Sequence, residues 1–165
     1  MEALRQMYAG LGYTGVQSYI QSGNVIFNTS GTNTQTLKET ISEKILKTFG
    51  INVPIIVLTI EELTNALKNN PYHTDSLKDP AKIYFTFLSK IPQKTLLDTI
   101  TPALYAPVEF YHWEKVIYNY CPNGYGNTKL TNTFFEKRLH LTATNRNLKT
   151  VVELLKLAGK NQYLI

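Results

Sequence analysis

The chain has 165 residues and a mass of 18.8 kDa, with 43% hydrophobic and 18% charged residues; that suits one compact domain or two small lobes and is too short for two ordinary domains. No apolar run approaches the roughly 18 residues of a membrane span, no secretory signal opens the chain, and the single Cys121 excludes an internal disulfide and a cysteine zinc cluster, so cytoplasmic residence is the expectation. The net charge of +5 is carried late: residues 1–80 sum to −1 and residues 81–165 to +6, which reads either as an attraction for phosphate, nucleotide or nucleic acid or as an ordinary solvated surface.

Residues 2–11 predict a helix, with Leu4, Met7, Tyr8 and Leu11 on one stripe and Gly12 as its stop. Val16–Gln21 and Asn24–Asn28 predict a hairpin across Ser22-Gly23, and 29–34 a loop. Leu37, Ile41, Ile45, Leu46 and Phe49 mark an amphipathic helix ended by Gly50. Val53–Leu58 predicts a buried strand, and Thr59 with Glu62 a capping box for a helix over 60–68. Residues 69–80 are rich in turn formers.

Lys82–Leu88 then predicts a strand and Pro92–Ile100 a short helix. Val108–Trp113 and Val116–Cys121 predict a second hairpin, 122–128 a loop, 129–139 a helix, and 147–158 a final helix stopped by Gly159. The expected fold is therefore α+β, with two small ferredoxin-like lobes built as split β-α-β units: 1–68, and 69–165 with the C-terminal helix, together one compact structural unit. The first lobe lacks its opening strand and the second its closing one. A slot or edge in the first sheet is then left open for another part of the chain, a partner, or residues upstream of Met1. An open edge pairs readily, so a homodimer is expected.

The segments MEALRQMYAGLGYTGVQSYIQSGNVIF, CPNGYGNTKLTNTFFEKRL and TATNRNLKTVVELLKLA together resemble an uncharacterised bacterial family, catalogued as domain of unknown function 1697. The resemblance runs along nearly the whole chain and implies paired α+β subdomains without an assigned activity. Family members begin with a strand and an Arg-Gly-Ile-Asn-like turn that have no counterpart before Met1, and they often carry Trp where this chain has Leu148.

Three stretches bear candidate chemistry. Between a strand and a helix, Asn123, Gly124, Gly126, Lys129 and Thr131 suggest a loop whose backbone approaches an anion closely, with unpaired N–H groups of the next helix, a lysine charge and hydroxyls to hold it. The same pattern suits a plain strand-to-helix turn. Thr144, Arg146 and Asn147 offer small polar groups around a bidentate guanidinium, or simply a helix cap. Gln21, Ser22 and Asn24 suit a polar ligand or a satisfied hairpin turn. The first two stretches start at opposite ends of the predicted 129–139 helix.

The expected function is binding of a phosphorylated small molecule or nucleotide through 122–131. A nucleic-acid module using the basic half and the hairpin aromatics, or an enzyme on a phosphorylated substrate, are the alternatives. His73, His112 and His140 have no metal-ligand spacing, no catalytic set stands out, and no cofactor is implied. Cys121 beside the loop is a nucleophile only if its thiol is acidic; a small buried hydrophobe is the commoner role.

Overall fold

The computed structural model describes residues 1–19, 23–31, 33–159 and 163–164. The backbone divides into two compact units, Met1–Asn65 with Glu153–Ile165, and Ala66–Val152. The first break lies close to the expected 68/69 boundary. The end of the chain, expected in the second lobe, groups with the first.

In the first unit, α1 (Glu2–Gly10) buries Met7 and Tyr8. Strands β1 (Thr14–Tyr19) and β2 (Asn24–Asn28) pair antiparallel, with Tyr19 opposite Asn24 and Gln17 opposite Ile26. Helix α2 (Thr34–Phe49) starts where the Asn33 side chain accepts the Thr36 N–H at 3.0 Å and stops at Gly50, whose φ of +69° favours glycine. Leu37, Ile41 and Ile45 of α2 close a core over Tyr8, Tyr13, Val25 and Phe27.

The strand expected over 53–58 is not formed at that length: only β3 (Leu58–Thr59) pairs. Ile55 and Val57 are nevertheless buried in the same core, so the apolar run reports burial rather than ladder pairing. The capping box at α3 (Ile60–Lys68) is formed in both directions, Glu62 N–H to Thr59 Oγ1 at 3.0 Å and Thr59 N–H to Glu62 Oε2 at 2.9 Å.

The second unit contains β4 (Ile83–Leu88), entered from a 3-10 turn over Pro80–Lys82, and α4 (Lys94–Leu97), shorter than the helix expected over 92–100. The hairpin of β5 (Glu109–Trp113) and β6 (Val116–Tyr120) forms as expected, with Glu114 at φ 49° in its turn. Helix α5 (Asn132–Leu139), β7 (Ala143–Asn147) and α6 (Leu148–Ala158) follow. The four strands lie in the order β5-β6-β4-β7, every neighbour antiparallel.

β7 corrects the expectation that the second unit lacks a closing strand. Its sequence, ATNRN, shows no alternation of apolar and polar residues, so nothing in its hydropathy announces a strand. Hydrogen bonds replace the hydrophobic signal: Thr86 Oγ1 donates to Asn145 Oδ1 at 3.1 Å and receives Asn119 Nδ2 at 2.9 Å, across three adjacent strands. The face that carries this network also carries Leu88, Ile117 and Ala143, which pack against Leu130, Phe135 and Leu139. The other face carries Phe85, Phe87 and Tyr118, all buried.

The last strand, β8 (Tyr163–Leu164), returns to the first sheet, whose order is β1-β2-β8-β3. It runs antiparallel to both neighbours, with Leu164 opposite Ile26 and Leu58, and Tyr163 opposite Phe27 and Thr59. The open slot inferred from element order is thus filled by the chain itself. No helix among the described residues is long and apolar enough to cross a membrane.

Candidate functional site

The loop 122–131 is braced from within. Beyond the end of β6, the Cys121 N–H donates to Lys82 O at 2.9 Å, and the Gly124 N–H closes a turn onto Cys121 O at 2.9 Å. Gly124 stands at φ +86°, and a Cβ added there would lie 4.0 Å from Lys82 Nζ, an ordinary contact. Conformation rather than crowding therefore selects glycine at this position. A 3-10 turn over Tyr125–Asn127 follows, held by Asn127 Nδ2 donating to Asn123 O at 2.7 Å. The Tyr125 ring packs on Tyr84 at 4.9 Å between centroids, which ties the loop to the sheet.

A cavity of about 160 Å³ lies against this loop. Asn123, Gly124, Asn127, Thr128 and Lys129 form one wall, and the segment 104–108 forms the other. Lys129 is exposed, and Lys82 reaches the loop from the start of β4. Neither lysine has an ion-pair partner among the described residues. Lys129 and the Gly124 turn thus line one small concavity, and the Lys82 ammonium stands beside Gly124.

Lys82 is the residue that sequence reasoning missed. It lies far from the loop along the chain, and it comes there because Ile83 pairs with Tyr120 in the β4–β6 ladder. A lysine at the mouth of a strand carries no local mark of the strand it will pair with.

The remaining candidates fall in three other places. Thr131 is the N-cap of α5, its Oγ1 accepting the Phe134 N–H at 3.2 Å, and the Asn132 N–H donates to Tyr125 Oη at 3.0 Å. The expectation that the first N–H groups of this helix stay unpaired is thereby corrected, since two of them are satisfied locally. Gly126 borders open space within the 3-10 turn. Thr144 and Arg146 lie on β7 rather than in a loop, opposite Phe87 and Phe85, on the sheet face away from α5. Arg146 Nη1 donates to Thr144 Oγ1 and Asn145 O, both at 2.7 Å. Burial draws the Arg146 pKa down, and an arginine still stays charged at neutral pH. Asn147 caps α6, its Oδ1 accepting the Thr150 N–H at 2.8 Å.

Lys129 and Arg146 therefore serve different faces of the sheet and share no pocket. Asn24 is buried and braces the first hairpin through Nδ2 to Tyr19 O at 3.2 Å. Gln21 and Ser22 lie outside the described residues.

Cys121 is fully buried, and loss of solvent pushes its thiol up to about 11, against a smaller opposing effect of the Thr128 hydroxyl. It is a neutral thiol at physiological pH and not an activated nucleophile. Among the hairpin aromatics, Tyr118 is buried, with its hydroxyl donating to Ala66 O at 2.7 Å, whereas Tyr111 is 51% exposed. Among the described residues, no group of three or more His, Cys, Asp or Glu side chains is placed to hold a metal ion.

A second, wider groove of about 650 Å³ adjoins the cavity. Both are lined by Ala106, Pro107 and Val108. Tyr72 and Tyr111 are the tyrosines of the groove's lining, and Glu109 is its charged residue. Glu109 is ion-paired with Lys78, whose Nζ stands 4.3 Å from the centroid of the Tyr120 ring.

Comparison with known proteins gives a family and a fold. The family model described as "Protein of unknown function (DUF1697)" matches residues 1–118, a stretch that ends before the 122–131 loop. The solved structure of the conserved bacterial protein SP0830 from Streptococcus pneumoniae is similar at 24% identity and a TM-score of 0.60, over 95% of this chain and 87% of that one. No protein of curated function matches the chain.

Proposed function

The chain belongs to the family of unknown function DUF1697, and from that premise we propose that it binds a phosphorylated small molecule in the cytoplasm, seating the phosphoryl group against the 122–131 loop. The carrying observation is a preformed cavity lined by Gly124 and Lys129, with Lys82 Nζ beside Gly124. Lysine serves phosphate as a compact point charge, and a left-handed glycine lets the backbone approach it. The rest of the ferredoxin-like lobe supplies the rigid frame: the β4–β6 ladder sets Lys82 against the loop, and Thr131 with Tyr125 fixes the following helix.

Size decides which part of a ligand enters. A cavity near 150 Å³ holds a group about as large as benzene, whereas sites for whole drug-sized ligands run from about 300 Å³ upward. At about 160 Å³ the cavity suits a phosphoryl group and not an entire nucleotide. Nucleic acid takes second place because Tyr118 is committed to the core, leaving Tyr111 as the open aromatic of its cross-strand pair.

Calorimetric titration of the full chain with inorganic phosphate at constant ionic strength tests the reading. Lys82→Ala and Lys129→Ala are each expected to weaken binding about tenfold while leaving the melting temperature within about 2 °C, as for surface substitutions remote from the core. Wild-type affinity in both variants would end it.

A further inference from the structure

We propose that the wider groove beside the loop is a ring subsite, and that the ligand is a nucleoside monophosphate whose base stacks on Tyr111 while its phosphate sits between Lys82 and Lys129. The inference rests on the phosphate reading above and adds the organic half of the molecule. Three observations carry it. First, the cavity at the loop is too small for more than the phosphoryl end, and the adjoining groove is about four times larger, at about 650 against about 160 Å³. A ligand with a small charged head and a larger body matches this pairing.

Second, the two spaces meet at three consecutive residues, Ala106 to Val108. They lead into β5, the edge strand of the sheet, so a ligand held at the loop passes round that edge to reach Tyr111, which stands with Tyr118 on the face away from α5.

Third, the groove offers a ring platform. Tyr111 lies roughly parallel to Tyr118, with centroids 6.4 Å apart and an interplanar angle of 29°, yet is 51% exposed. One face is therefore turned to the core and the other left to solvent. Base–aromatic stacking uses such a face whatever the base. The Glu109 carboxylate in this wall is neutralised by Lys78, so the groove does not repel an anionic ligand at short range. Its three prolines and two alanines, with Tyr72, Val108 and Phe110, make the remainder largely apolar, as a site for an uncharged ring requires.

The test uses the full chain with three probes at fixed ionic strength: inorganic phosphate, ribose 5-phosphate and adenosine monophosphate. Adenosine monophosphate is expected to bind at least about tenfold more tightly than ribose 5-phosphate, the margin that stacking of one base supplies. Tyr111→Ala should remove that margin and leave inorganic phosphate unchanged, and Tyr111→Phe, which keeps the ring, should retain it. Equal affinity for adenosine monophosphate and ribose 5-phosphate, or a margin that survives Tyr111→Ala, would overturn the ring subsite while leaving the phosphate reading intact. If none of the three probes binds, the phosphate reading fails and the ring subsite with it.

Discussion

A thiol enclosed between the end of β6 and the 122–131 loop loses the water that would stabilise its anion, and Cys121 is held at about 11 for that reason. In the unfolded chain the same thiol titrates near 8.5. Between these values the unfolded state has released its proton and the folded state has not. The unfolded state then binds fewer protons, and stability falls as pH rises. The contribution is fully present below about pH 8.5 and is lost through about pH 11, on the order of 3 kcal/mol in all. Tyr8, Tyr72 and Tyr118 are also raised by burial and deepen the loss above pH 10 by the same linkage. Urea denaturation from pH 8 to 11 should show this decline, and Cys121→Ala should flatten its lower part. Parallel curves for the two proteins would mean that the thiol is solvated. Residue identity alone suggested burial for Cys121, because free cysteine is commonly buried. It gave no hint of Lys82, whose place beside Gly124 is fixed by strand register.

What is legible at the level of elements depends on how far apart the cooperating residues lie. The Thr59–Glu62 box spans three residues, and both of its hydrogen bonds form where the spacing says they should. Thr59→Ala removes the acceptor for the Glu62 N–H and is expected to cost about 1 kcal/mol by chemical denaturation, the usual price of losing a side-chain cap. A loss below about 0.3 kcal/mol would mean that other contacts fix the start of α3. The hairpin of β5 and β6 and the long α2 were similarly readable, because turn and hydrophobic period are local. β7 was not. Its place next to β4 depends on Asn145 meeting Thr86, which in turn holds Asn119, and these residues are remote in sequence. With β7 formed, Thr144 and Arg146 stand on a strand rather than at a helix cap, on the sheet face away from α5. The glycine loop is legible as a turn because its own contacts are short-range: Gly124 to Cys121, Asn127 to Asn123, Asn132 to Tyr125.

At the scale of the whole chain, the element order alone implied an unfilled position in the first sheet, and the last strand occupies it. β8 separates β2 from β3 and pairs with both. β2 is the central element of that unit's core, with Val25, Ile26 and Phe27 all buried. A buried strand with one bare edge carries unpaired N–H and C=O groups, which cost free energy when withdrawn from water. β8 thus does for β2 what an opening strand would have done, at the opposite end of the chain. The pairing it closes is the longest in sequence of the strand pairings among the described residues, Ile26 with Leu164 and Phe27 with Tyr163. Loop closure over such a span is entropically expensive, so this pairing is expected to form late in folding. Removing residues 160–165 should therefore act on one unit in particular. The amides of 24–28 should lose hydrogen-exchange protection by about 2 kcal/mol or more, the worth of a few ladder bonds. Those of 83–88, paired on both sides by β6 and β7, should keep theirs. Equal loss in the two strands would make β8 a support of the entire molecule, and no loss in β2 would mean that its edge is satisfied by other means.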